Sequence, residues 1–214
     1  MKLYGYWRSS AAYRVRIALA LKNLSYEYLS INLATGAHRK PEYGEVNPQQ
    51  LVPVLMEGDE PQYQSLAIID YLEETHPHPP LLPRDPLERS RVRSLAMIVA
   101  CEIHPLNNPR VLNYLTGKLG ASEEQKLAWY AHWVNTGFSA VEQRLATERW
   151  TGRYCHGDTP GMADACLVPQ VANAVRFKVD LAPFPTIRRI NETCLEHEAF
   201  RKAAPENQPD AVRS

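Results

Sequence analysis

Serines at the starts of two apolar-periodic segments, and a His-Asn-Arg group set among prolines, are the residues of this sequence whose types and spacing could do chemistry. Ser9 and Ser10 open SSAAYRVRIALALKN, and Gln64 and Ser65 lead into LAIIDYLEET, each with apolar residues at helical spacing. A helix start presents free amide N–H groups and a positive dipole end, so a hydroxyl there either caps the helix or helps to hold an anion. By residue type alone the two readings of Ser9 and Ser10 are balanced, and for Gln64 and Ser65 a loop residue followed by a cap is the plainer one. His104, Asn108 and Arg110 lie in CEIHPLNNPRVL. An isolated histidine is more often a surface or internally satisfied residue, but the neighbouring Asn and Arg shift the reading toward ligand contact.

Metal and phosphate motifs are missing: there is no HExxH, no paired CxxC and no GxxxxGK, and Cys155 and His156 are adjacent rather than ligand-spaced. Cys101, Cys155, Cys166 and Cys194 therefore read as free thiols in a reducing compartment, and the expected location is cytoplasmic. Lys plus Arg and Asp plus Glu both total 24, so no overall basic field attracts phosphate backbones or anionic lipid. Neither nucleic acid nor membrane is expected as a partner. Met1 to Tyr6 runs straight into a strand-like pattern without the n- and h-regions of a secretory leader. No apolar stretch approaches the roughly 20 residues of a bilayer span, because Arg, Glu or His interrupts each one. Trp129 and Trp133 read as core or interface, and Arg14, Arg16, Arg91 and Arg93 as solvated faces or surface ion pairs.

The elements that position these residues change character along the chain. At 214 residues and 44% hydrophobic content the sequence is globular and long enough for one domain or two small ones. Strand patterns at Lys2 to Trp7, Tyr26 to Ile31, Val52 to Met56 and Pro61 to Tyr63 alternate with helical patterns at Ser9 to Asn23 and after Ser65, giving βαβ followed by ββα. HPHPPLLPRDP, from His76 to Pro86, holds five of the 17 prolines and reads as a linker. Beyond it the patterns are helical, at Leu87 to Leu115, Ser122 to Thr147, Ala163 to Arg176 and after Pro185.

An α/β domain, a proline-rich linker and an all-α domain together resemble the cytosolic glutathione transferases. Four strings narrow the likeness to the zeta class: RSSAAYRVRIAL at 8 to 19, NPQQLVPVL at 47 to 55, QSLAIIDYLEE at 64 to 74, and GDTPGMADACLVPQVANAVRFKVDL at 157 to 181. The likeness covers essentially the whole chain, including the tail at AAPENQPD. It implies a thioredoxin-like glutathione-binding domain at 1–80, a linker at 81–86 and an all-helical substrate domain at 87–214.

The resemblance also implies a site. Ser9 and Ser10 match the family's catalytic serine region, where a hydroxyl faces the glutathione sulfur. A thiol of pKa about 8.5 is roughly 3% ionised at pH 7, and lowering that pKa by one unit raises the fraction to about a quarter. Pro53 matches a cis-proline that turns the Val52 backbone toward glutathione, and Gln64 and Ser65 match the pair that holds the γ-glutamyl carboxylate. His38 falls at a position that contributes to glutathione binding in the family, and His104, Asn108 and Arg110 lie in a region that looks down onto the family's active site, which makes them binding candidates. A diacid substrate calls for arginine, since the planar fork matches a carboxylate bidentately, and Arg8, beside the serine, and Arg176 are the catalytic candidates for it. Zeta sequences often read Ser-Ser-Cys where this chain has Ala11, which removes a site thiol and argues against thioltransferase chemistry. Gly161 stands where a capping Ser or Thr is usual, with Asp164 at N3, a structural motif.

By the same resemblance the expected activity is that of an isomerase of a small maleyl-type diacid, with glutathione as cofactor. The thiolate would add to a cis double bond, charge would move onto conjugated oxygens near Arg8, Arg176 or helix-end amides, and rotation with loss of glutathione would give the trans product. Maleylacetoacetate of tyrosine catabolism is the favoured substrate. Maleylpyruvate, transferase work on α-haloacids and a non-enzymatic binding module are the alternatives. The family's homodimer is carried over as an expectation.

Overall fold

The computed structural model describes residues 1–212 of the 214. Backbone contacts divide the chain into two compact units: Met1–Leu81 together with the tail from Leu195 onward, and Leu82–Cys194. This division differs from a helical domain drawn at 87–214.

In the first unit β1 (Lys2–Gly5), α1 (Ser10–Leu21) and β2 (Glu27–Ser30) form a parallel βαβ turn, as two parallel strands require a crossover. A short 3-10 turn, Ala37–Arg39, and α2 (Pro41–Val46) come next, and then β3 (Val54–Glu57) and β4 (Glu60–Tyr63) form a hairpin through Gly58, whose φ of 60° suits glycine. The sheet order is β2-β1-β3-β4, with β3 antiparallel to both its neighbours. Tyr4, Val54, Met56 and Tyr63 share one sheet face, where Tyr43 of α2 packs. Period-2 alternation leaves the fully buried Leu3 and Leu55 for the other face.

Ser9 is the N-cap of α1, its hydroxyl accepting from the Ala12 N–H at 3.2 Å. The last helix of the sheet segment, α3 (Ser65–Thr75), corrects a sequence expectation. Gln64, not Ser65, is its cap residue, at φ 66° and without a side-chain cap bond, and Ser65 is already helical.

Arg14 and Arg16 are a second correction: they are 1% and 0% exposed rather than solvated. Two positions two apart on a helix differ by about 200°, so they cannot share one wet face, and α1 is buried all round apart from a few half-covered residues. Arg16 reaches the Ala203 carbonyl at 2.9 Å.

That carbonyl belongs to the tail. α8 (Pro185–Glu196) leads into α9 (Glu198–Ala203), whose Ala199, Phe200 and Ala203 are buried and whose Phe200 carbonyl accepts from the Tyr13 hydroxyl at 3.2 Å. This is the physical reason the tail belongs to the first unit.

In the second unit the single helix expected over Leu87 to Leu115 is broken. α4 (Pro86–Met97), capped by Asp85, runs into a π-helical segment, Ile98–Ile103, and a new helix, α5 (Pro109–Gly117), starts at Asn108. Pro105 has no N–H for a continued helix, whereas Pro109 at N1 needs none. α6 (Glu123–Thr147) begins with a capping box from Ser122 and Gln125. α7 (Met162–Arg176) buries most of its length.

Arg91 is the third correction among the arginines. Only 6% exposed, it donates to Glu148, the Cys155 carbonyl and Thr151. Asp164, also buried, accepts from the Cys155 N–H at 2.8 Å and the Gly161 N–H at 2.9 Å, so the half-box without a cap hydroxyl is satisfied. Trp129 and Trp133 meet edge to face at 5.6 Å, and the Trp129 indole donates to the Leu106 carbonyl. Among the described residues no helix is long and apolar enough to cross a membrane.

Candidate active site

Strand register decides where the candidate residues of the first unit meet. Tyr4 pairs with Val54, and Val54 with Tyr63, so the end of β1, the start of β3 and the end of β4 lie at one edge of the sheet. The segments just beyond these points are Tyr6 to Ser9, Leu51 to Pro53, and Gln64 with Ser65. β2, parallel to β1, ends there too, at Ser30 opposite Gly5, and sends out the segment that carries His38. The fold thus delivers Arg8, Ser9, Ser10, Val52, Pro53, Gln64 and Ser65 to one end of one sheet.

Several contacts fix this end. The Val52-Pro53 peptide is cis. Just before it, the Leu51 carbonyl accepts from the Tyr43 hydroxyl at 2.7 Å and from Asn47 Nδ2 at 2.8 Å. Val52 and Val54 join a buried cluster with Tyr6 and Tyr43. Gln64 donates from Nε2 to Gln49 Oε1 at 2.9 Å, linking the loop after β4 to the segment before the cis peptide. Ser65 is buried and accepts from Arg14 Nη1 at 3.2 Å. The segment from Tyr6 closes on itself where the Ser9 N–H donates to the Tyr6 carbonyl at 2.9 Å. Ser10 is buried, Ser9 half-buried and Arg8 exposed with its guanidinium 4.4 Å above the Trp7 ring.

Two electrostatic features define what this end can hold. Two helices, α1 and α3, start at it, which places free amides and two positive dipole ends where an anion would sit. His38 is half-buried, and its Nδ1 is buried without a partner. Burial, then the neighbouring Arg39 charge, hold its pKa below the ordinary 6.5, so the ring is neutral at pH 7. Its Nε2 accepts from Arg39 Nε at 3.3 Å, so the proton of the neutral ring is on Nδ1, which can donate a hydrogen bond rather than supply a charge.

The remaining candidates lie in the second unit. His104 closes the π-helical segment, its N–H donating to the Val99 carbonyl at 3.0 Å. Asn108 caps α5 through the Arg110 N–H at 3.1 Å, a structural use of a residue expected to touch ligand, and Arg110 is exposed. Arg176 is exposed at the end of α7, its guanidinium 4.8 Å above the Phe177 ring. That ring stacks at 3.9 Å on Tyr130, whose phenol burial pushes up to about 12.

Gln49, Asn47 and Tyr43 support this end and were not singled out from the sequence, and Arg14, expected at the surface, supports it too. A usable signal existed for two of them: Asn47 and Gln49 sit inside the string NPQQLVPVL, directly before the proline. Tyr43 gave none, since an aromatic in a six-residue helix carries no periodicity.

Comparison with known proteins agrees with this geometry. The family profile "Glutathione S-transferase, N-terminal domain" matches residues 3–80. A maleylpyruvate isomerase of a Ralstonia species is 52% identical over 212 residues, covering 99% of this chain and 100% of that protein. A holo structure of a maleylpyruvate isomerase, described as a bacterial zeta-class glutathione transferase, superposes with a TM-score of 0.97 at 51% identity, covering 99% and 100% of the two chains. A maleylacetoacetate isomerase from Methylobacterium extorquens, solved with malonate and glutathione bound, gives 0.96 at 45% identity over the whole of both chains. The chain belongs to the glutathione transferases, in their zeta class.

Proposed function

We propose that this chain is a glutathione-dependent cis-trans isomerase that converts maleylacetoacetate to fumarylacetoacetate. The observation that carries the reading is the convergence of the Ser9 hydroxyl, the cis Val52-Pro53 peptide and the Ser65 helix start at one sheet end. Glutathione fits this end by chemistry. Its peptide backbone has the hydrogen-bonding groups that Val52 can pair with, its γ-glutamyl carboxylate suits the amides at the start of α3 beside Gln64, and His38 Nδ1 is a buried group in need of a partner. Its bound thiol supplies the nucleophile that adds to the cis double bond and later departs.

The chain's own residues then have distinct tasks. Ser9, at the first turn of α1, donates its hydroxyl to the thiolate, and the dipole end of α1 favours the same charge. Ser10, next in the helix, adds a hydroxyl on the same turn. Arg8, Arg110 and Arg176 are the guanidiniums assigned to the substrate's carboxylates and to the charge that builds on its conjugated oxygens. His104 and Asn108 are assigned to ligand contact. We read the enzyme as a cytoplasmic homodimer.

Maleylpyruvate is the second reading, favoured by the 52% identity to the Ralstonia enzyme of that name. The test is the absorbance decay of each diacid with and without glutathione, repeated on Ser9→Ala. Glutathione-dependent turnover lost in the variant supports the proposal, and the faster substrate decides between the two readings. Absence of turnover with either compound, while glutathione still binds, would overturn it in favour of α-haloacid transfer or a binding role.

A further inference from the structure

Trp7 leads directly into Arg8 and Ser9, and its backbone is held from both sides by ionic side chains. Its N–H donates to Asp210 Oδ2 at 3.1 Å, and its carbonyl accepts from Arg16 Nη2 at 3.1 Å. Arg16 also donates from Nη1 to the Tyr6 carbonyl at 3.5 Å and from Nε to the Ala203 carbonyl at 2.9 Å. The Tyr6 carbonyl is the same one that receives the Ser9 N–H. Asp210 is anchored in turn. Its Oδ2 accepts from the Ser30 hydroxyl at 2.8 Å and the Tyr28 hydroxyl at 3.3 Å. The Tyr28 ring crosses Gly5, where a Cβ would stand 2.9 Å from it, so the glycine makes room for this contact.

We propose that Asp210 is a positioning residue for the reaction: the C-terminal tail returns to the sheet end and, with Arg16, clamps the Tyr6–Ser9 turn so that the Ser9 hydroxyl is held toward the thiol. This rests on the role proposed for Ser9 in activating glutathione. Hydrogen bonds to an ionised carboxylate and a guanidinium are roughly twice as strong as neutral ones, so a clamp of this kind narrows the turn to one geometry. A catalytic hydroxyl must be held to within about 0.5 Å to keep its effect, which asks for supporting hydrogen bonds around it. The charged and titratable groups facing Asp210 and Arg16 are each other, the phenols of Tyr13, Tyr26 and Tyr28, and, on the outer side of Trp7, the exposed Arg8.

The experiment compares wild type, Asp210→Ala, Ser9→Ala, the double variant, and Lys22→Met as a destabilised control whose side chain bonds His76 and Pro79 at the opposite end of α1. Two readouts are taken: amide hydrogen exchange of Trp7 and Ser9 without glutathione, and the thiol pKa of bound glutathione by thiolate absorbance. Asp210→Ala is expected to speed exchange at both amides by about tenfold or more and to raise the thiol pKa by about half a unit, a threefold loss of thiolate below it. The double variant is expected to match Ser9→Ala in pKa, because Asp210 acts through Ser9. Unchanged exchange and pKa in Asp210→Ala, or an equal pKa rise in Lys22→Met, overturns the proposal. If Ser9→Ala itself leaves the thiol pKa unmoved, it is the reading of Ser9 that fails.

Discussion

Arg14 donates from Nη1 to the Ser65 hydroxyl at 3.2 Å, and both side chains are buried, so the second turn of α1 and the start of α3 are joined by one hydrogen bond. Ser65→Ala removes the acceptor and leaves a buried guanidinium N–H to be satisfied elsewhere, which costs about 1–3 kcal/mol. It also removes a hydroxyl beside the proposed carboxylate site. The expected result is a lower denaturation midpoint with a rise of about tenfold in the glutathione dissociation constant, equivalent to about 1.4 kcal/mol, read by titration calorimetry. Unchanged affinity in a destabilised variant would make Ser65 purely structural.

Ala11 lies in the first turn of α1, where a thiol would feel the helix dipole. Among the chain's own cysteines only Cys101 is exposed, and burial pushes the Cys155 and Cys194 thiols up. Wild type should therefore react with a disulfide reagent quickly at one thiol, and Ala11→Cys at two. Isomerisation should change less than about threefold, a surface-scale effect, because its nucleophile comes from glutathione. A large gain in isomerase rate would mean that a protein thiol takes part after all.

Lys22 and Glu73 form a buried ion pair at 2.7 Å, and each is further bonded: Lys22 to the His76 and Pro79 carbonyls, Glu73 to the Leu81 N–H. They tie the far end of α1 to the chain after α3. Removing one partner strands the other charge, so Glu73→Ala should cost about 3–5 kcal/mol by chemical denaturation. The double change Lys22→Met, Glu73→Leu should recover part of it, because two desolvated charges are exchanged for apolar packing.

Glu148 accepts from Arg91 and Arg144 in the second unit. Burial alone would raise its carboxyl, but hydrogen bonds from Arg144 and Arg91 outweigh this and hold it below the ordinary 4.5. A folded-state pKa below the unfolded one stabilises the protein above that range, and the contribution is lost as pH falls through the folded value. The stability gap between wild type and Glu148→Gln should thus be constant at neutral pH and shrink steadily below about pH 4.5 in urea melts. A gap that persists at low pH would show that the charge does not matter.

Much of this was legible from residue types. The Ser9 cap, the hairpin before Tyr63, the helix from Ser122 and the proline-rich passage near 76–86 arise from local chemistry, because caps and turns depend on residues within one turn of each other. The break near Pro105 was harder, since a proline stops a helix but leaves open where the next begins; Asn108 at the cap and Pro109 at N1 decide that.

By itself the sequence determined the order of the four strands with α1 and α3 among them, the Ser9 start of α1, and, through its motif strings, the zeta-class likeness. Only the tertiary structure decided which charges are buried. Arg14, Arg16 and Arg91 look like surface residues one by one, and they become internal because distant carbonyls and hydroxyls converge on them. It also decided that the tail at Asp210 belongs with the first unit and that Gln49 meets Gln64. Contacts between residues far apart in the chain depend on strand register and helix docking, which local propensities do not encode.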